Sequence, residues 1–191
     1  IARVLGYDNL PSNDINLEKL SNKIPSKSVE TFLRKTLTLE GFSEVINSPF
    51  VENQSSNCFT VDNPLDSNRN SMRTSLRESL INNLLYNERR QKDSVKFFEI
   101  SDVYCVNDKK LVRQKKLGII ASGRIGNNYK EFSQQINKNY LNDILVSKLS
   151  VSDSIIENLS RENLDTKIKT PIFYLSLIHI WRCRRHAVGR S

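Results

Sequence analysis

Histidine, tryptophan and methionine are nearly absent from this 191-residue sequence, which holds two, one and one of them. His179, His186 and Trp181 all lie beyond residue 174, so residues 1–174 offer no imidazole as a general base. Cysteine is equally sparse. Cys58, Cys105 and Cys183 are odd in number and widely spaced, with no Cys-x-x-Cys pair, which argues against a disulfide framework and a zinc site and fits a reducing cytosol. The Asn53 and Asn158 sequons are then chance matches. No apolar run is long enough to span a bilayer, and no basic-apolar-small signal opens the chain. The sequence begins at Ile1, so its natural start is expected upstream. No internal repeat is present.

What remains is 38% hydrophobic and 26% charged, the balance of an ordinary globular domain with a core. The formal net charge is +8. Half of it comes from Arg182, Arg184, Arg185 and Arg190, in a stretch without an acid. The body is Lys-rich, whereas residues 175–191 use only Arg as their base. That break reads as a foreign tail, such as a frameshift or vector-derived segment, and 175–191 are set aside from the fold. A basic arm for phosphates is the functional alternative.

Residues 1–11 read as a helix end, closed by Gly6 and Pro11, and 12–25 as a polar linker. Val29, Phe32, Leu33, Thr36 and Leu37 recur at helical spacing, with Ser26 or Ser28 as cap and Gly41 as the stop. A strand is expected over 43–51, with Glu44, Ile46, Ser48 and Phe50 on one face and Pro49 marking an edge or interface. A short strand over 58–61 ends at Asn63-Pro64. Ser75 and Glu78 have capping-box spacing before a helix whose apolar side is Leu76, Leu80, Ile81, Leu84 and Leu85. Strands follow over 95–105 and 116–122, then a helix over 139–158. Several strands lie too close for crossover helices, which predicts an α+β domain, residues 26–174, with a mostly antiparallel sheet.

Four blocks in order carry a resemblance. They are Ala2-Arg3-Val4-Leu5-Gly6-Tyr7-Asp8-Asn9-Leu10-Pro11; Leu39 to Val51, containing Gly41-Phe42-Ser43-Glu44-Val45; Val61-Asp62-Asn63-Pro64-Leu65 with Met72-Arg73-Thr74-Ser75-Leu76; and Phe97-Phe98-Glu99-Ile100-Ser101-Asp102-Val103-Tyr104. Together they resemble the β chain of bacterial phenylalanyl-tRNA synthetase, over roughly residues 1–125 and more thinly to about 174. The resemblance makes residues 1–11 the end of a preceding small domain. It implies a class II synthetase-like antiparallel sheet flanked by helices, in a module without its own chemistry. It further implies a cytoplasmic (αβ)₂ heterotetramer that uses ATP and magnesium to charge tRNA with phenylalanine, with the α chain carrying the aminoacylation site.

The block around Gly41 resembles the first class II motif, which builds subunit interfaces. Gly41, Phe42, Val45, Pro49 and Phe50 are therefore the interface candidates. Catalytic relatives carry an Arg on a Phe-Arg-x-Glu strand to grip the ATP phosphate; Phe97-Phe98-Glu99-Ile100 has none, and a carboxylate there would repel a phosphate. The Gly-rich third motif is also missing. No catalytic, cofactor or metal residue is assigned, and the family's magnesium ligands precede Ile1. Arg73 is a candidate RNA or subunit contact, but an Arg in such a place more often pairs with a local carboxylate. Of Phe97 and Phe98, one is expected in the core and the other against a neighbour. The spacing of Asp62, Asp66 and Glu99 fixes no metal geometry, and solvated turn acids are the simpler reading. Two other functions are weighed: a free-standing RNA-binding paralogue, and a small-molecule enzyme on the same scaffold, akin to biotin ligases.

Overall fold

The computed structural model describes residues 29–52, 58–107, 110–126, 133–149, 151, 156–162, 164 and 168–177. The readings of residues 1–28 and of most of the Arg-rich stretch lie outside them.

Helix α1 (Val29–Leu39) buries Leu33 and Leu37. Its end follows from Gly41, whose φ of +80° suits a residue without Cβ. The Gly41 amide donates to the Thr38 carbonyl (3.0 Å) and the Phe42 amide to that of Leu37 (3.0 Å). These are the two bonds of a Schellman stop, and Phe42 and Leu37 supply the hydrophobic contact that accompanies it.

Short strands β1 (Ser43–Glu44), β2 (Phe50–Val51) and β3 (Ser71–Met72) follow. Helix α2 (Arg77–Glu88) precedes two long strands, β4 (Val95–Asn107) and β5 (Lys110–Ser122), paired antiparallel over their whole length. Helix α3 (Lys138–Asp143) runs into a π-helical turn, Ile144–Lys148, before β6 (Ile156–Leu159) and β7 (Ile172–Leu177). The main sheet has the order β1-β4-β5-β7-β6, parallel at β1 and antiparallel elsewhere, while β2 and β3 form a separate ribbon.

The period-2 alternation of β4 and β5 sends side chains to two cores. Phe98, Ile100, Leu117 and Ile119 meet α1, α3 and the π turn. Val95, Val103 and Ile120 meet Leu76, Leu80 and Leu84 beside α2. Phe98 is fully buried, and the partly buried Phe97 packs on the α2 side. Gly118 lets α2 approach the sheet, since a Cβ there would lie 2.8 Å from Leu80 Cδ1 and 3.1 Å from Leu76 Cβ.

Several expectations are corrected. The strand over 43–51 is two fragments, because Pro49 donates no ladder bond and Asn47 is drawn toward Glu99. The strand over 58–61 is one bridge, Thr60 to Ser71. No capping box forms: α2 starts after Leu76, and the Ser75 hydroxyl accepts from the Arg77 amide (3.2 Å) instead. The helix expected over 139–158 is far shorter. The Leu149 and Val151 amides turn back to the Ile144 and Leu145 carbonyls, and Asn158 lies in β6. The boundary set at residue 175 falls inside β7: Leu175 is buried, and Leu175–Leu177 pair with β5. Among the described residues no helix is long and apolar enough to cross a membrane.

Candidate subunit-interface site

The segment from Gly41 to Val51 leaves α1, touches the edge of the main sheet and departs as β2. The Val45 amide donates to the Phe98 carbonyl (2.9 Å), and the Pro49 carbonyl accepts from the Arg73 amide (2.9 Å). Between these tethers the Glu99 carboxylate reaches across from β4. Its Oε2 accepts from Asn47 Nδ2 (2.8 Å), and its Oε1 lies 3.4 Å from the Asn47 amide nitrogen. Asn83, on α2, donates through Nδ2 to Asn47 Oδ1 (2.9 Å).

Arg73 balances the Glu99 charge. Its Nη1 stands 2.8 Å from Glu99 Oε1, a charge contact outside hydrogen-bond alignment, and both side chains are 2% exposed. Nη2 donates to Ser101 Oγ (2.5 Å) and Nε to the Asp102 carbonyl (3.2 Å). A buried ion pair is supported by further hydrogen bonds to its partners; here Arg73 Nε and Nη2 and both Glu99 oxygens have them, while Nη1 has the charge contact alone.

The segment therefore shows two faces. Phe42 is 2% exposed and belongs to the core, Val45 and Pro49 are half-buried, and Gly41 is exposed at the turn. Ile46 is 93% exposed and Phe50 41%, with Phe59 exposed nearby on the ribbon side. One interface candidate is corrected. Phe42 is a core residue, because the Schellman turn folds it back onto Leu37. Arg73 points inward and pairs with Glu99, the local-carboxylate reading, rather than standing on the surface as an RNA or subunit contact would. Glu99, read as a carboxylate facing a phosphate position, is buried and charge-balanced.

Sequence reasoning missed Ile46 as an interface candidate, and Asn47, Asn83 and Ser101 altogether. One signal was available: Asn83 and Asn87 interrupt the inward stripe of α2 that carries Leu80 and Leu84.

A concavity of about 640 Å³ lies beside Gly41, Asn87, Ser94, Phe97 and Tyr140. The Lys96 ammonium in its wall donates to the Ile125 carbonyl (2.5 Å), the Glu40 carbonyl (3.3 Å) and the Tyr140 hydroxyl (3.3 Å), and stands 5.7 Å from the Phe42 ring centre. The Ser94 hydroxyl donates to the Arg124 carbonyl (2.8 Å), and the Glu40 carboxylate lies 3.7 Å from Lys148 Nζ. These groups are engaged in holding the fold. Asp62 and Asp66 are exposed, and among the described residues no three His, Cys, Asp or Glu side chains gather as metal ligands would.

The family model for the phenylalanyl tRNA synthetase beta chain CLM domain matches residues 12–166. The chain belongs to that family. Within the CLM family it is 28% identical over 181 residues to the phenylalanine–tRNA ligase beta subunit of Mesoplasma florum, covering 88% of this chain and 22% of that protein. It is 32% identical over 116 residues to the beta subunit of Dehalococcoides mccartyi, covering 54% of this chain and 14% of that one. This CLM chain thus spans about a fifth or less of the length of these relatives. Two structures of pyrrolysyl-tRNA synthetase from Desulfitobacterium hafniense share its fold at a TM-score of 0.55 and 15% identity, covering 85% and 87% of this chain and 69% and 71% of theirs. The mixed α+β sheet of the CLM domain is therefore of aminoacyl-tRNA synthetase type.

Proposed function

We propose that this chain is a segment of the β subunit of a phenylalanine–tRNA ligase, acting as scaffold and subunit interface. The match to the CLM domain across residues 12–166 carries the reading. In it, the module is a class II synthetase-like relative without its own bond chemistry. The cytoplasmic parent complex is an (αβ)₂ heterotetramer that binds ATP, magnesium and tRNA, and the α chain performs the aminoacylation. The surface that meets the α chain centres on Ile46 and Phe50, with Gly41, Val45 and Pro49 shaping the backbone behind them. Exposed apolar side chains on a braced segment favour this use. The free-standing RNA-binding reading draws no comparable support, since Arg73 is buried and Arg34, Arg113 and Lys115 are ion-paired.

The test is co-expression of the whole chain with a bacterial phenylalanyl-tRNA synthetase α chain. The two are expected to purify together. Ile46→Asp or Phe50→Asp is expected to weaken association by about tenfold or more, as loss of an interface anchor does. Val146→Asp, at an exposed position on the π turn, is expected to leave it unchanged. Phe42→Asp is no test, because it would unfold the core. Wild-type affinity in both segment variants would refute the interface.

A further inference from the structure

We propose that Arg73, Glu99, Asn47 and Asn83 form a polar latch that holds residues 46–48 in one conformation, so that Ile46 and Phe50 stand as a fixed surface. These four are positioning residues. The choice of partner rests on the interface reading above; the latch does not.

An ion pair with both side chains 2% exposed is a poor way to stabilise a core, because apolar residues of similar volume serve as well or better. Its use here points to conformational specificity. The network joins β3 (beside Arg73), β4 (Glu99 and Ser101), α2 (Asn83) and the irregular segment at Asn47. Two regular elements, β4 and α2, thus hold one residue of a segment with no ladder of its own, and Arg73 beside β3 braces the β4 carboxylate that does so. Val45 and Pro49 are tethered through their backbones, and the Asn47 amide and side chain between them are gripped by Glu99. Ile46, 93% exposed, adjoins that grip, so its direction depends on Asn47 rather than on packing.

Amide hydrogen exchange on the whole chain tests the latch. Arg73→Met combined with Glu99→Met removes both charges together and keeps apolar volume. Exchange at Val45, whose amide is bonded to the Phe98 carbonyl, and at Asn47 is expected to rise by about tenfold or more, while Leu117 and Ile119 in β5 change by less than about twofold, the pattern of local opening. Asn83→Ala, at a half-buried helix position, is expected to give a smaller rise at the same amides, and it carries the test if the double variant does not fold. Unchanged exchange at Val45, or a rise matched in β5, would overturn the proposal, since a merely structural pair moves all protected amides together. The α-chain affinity of the same variants separates the two readings. A released segment that binds as wild type overturns the display role. A wild-type chain that ignores the α chain, with exchange as expected, sinks the interface and leaves the latch standing.

Discussion

Replacing Arg161 by Ala should cost far more than replacing Arg113, although Arg113 makes the shorter ion-pair contact. Arg161 grips Glu88 with two nitrogens, at 3.0 and 2.8 Å, and the side chains are 15% and 3% exposed. Its guanidinium also donates to Ser122 Oγ (3.0 Å) and to the Thr170 carbonyl, fastening the chain before β7 to the end of α2. Without it, the Glu88 carboxylate stays among α2 and the sheet without its guanidinium partner. Breaking a buried pair costs about 3–5 kcal/mol; partial access of water at the Arg161 side lowers this to about 2–3 kcal/mol. With a urea slope of about 2 kcal/mol per molar, the midpoint should fall by about 1–1.5 M. Arg113 Nη2 lies 2.6 Å from Asp102 Oδ2, but the arginine side chain is 65% exposed. The Asp102 hydrogen bond raises its pKa above the ordinary guanidinium value, which changes nothing in a group already charged. Arg113→Ala should leave the midpoint where it was. The assay is equilibrium urea unfolding of both variants. Equal losses, or no loss in Arg161→Ala, would show that distance rather than burial sets the value of these pairs.

Tyr174→Phe should hold or raise the unfolding midpoint, by up to about 1 kcal/mol, because the hydroxyl is buried without a hydrogen-bond partner; a clear loss in urea unfolding would contradict this. Gly118→Ala should destabilise by about 1–3 kcal/mol through overpacking against Leu80 and Leu76, read from the same unfolding curves. Glu30 is expected to support stability in a pH-dependent way. Its carboxyl is held below the usual value of 4.5, first by the Lys115 hydrogen bond, with the Lys115 and Arg34 charges adding to it and burial opposing. A depressed carboxyl stabilises above its unfolded pKa and loses that contribution as pH falls through the folded one. The difference between wild type and Lys115→Ala should therefore shrink between about pH 6 and about pH 3; a constant difference in thermal midpoint would refute it.

The sequence displays those parts of the fold whose causes are local. Helix α1 and its stop at Gly41 follow from neighbours within a few residues and are found as expected, with Leu33 and Leu37 buried, although Phe32 of the stripe is 47% exposed; the strands expected over 95–105 and 116–122 are found as well, extended to Val95–Asn107 and Lys110–Ser122. The break in the 43–51 strand is different, because its cause is Glu99, which lies 52 positions from Asn47 in the chain. β6 overlaps the end of the helix expected over 139–158, and its four residues are too few for a period to tell strand from helix. β7 was cut by a change in composition that its pairing ignores. At the site, the Gly41 region was legible through its resemblance, and Phe42 could have been assigned inward from the Schellman pattern alone. Arg73 and Glu99 look like surface charges one at a time, and only their meeting in space makes them interior.

The place of β7 in the sheet bears on how the chain must be assembled. It lies between β5 and β6, yet follows both in sequence. β6 pairs with β7 alone, so when it is synthesised it has no partner strand, and the outer edge of β5 from Leu117 to Ser122 waits unpaired as well. The sheet therefore cannot be completed outward from the β4–β5 hairpin; an inner strand is inserted last. Until that strand arrives, two edges stand open to pairing with other chains, which makes the interval before residues 172–177 emerge the time of greatest aggregation risk.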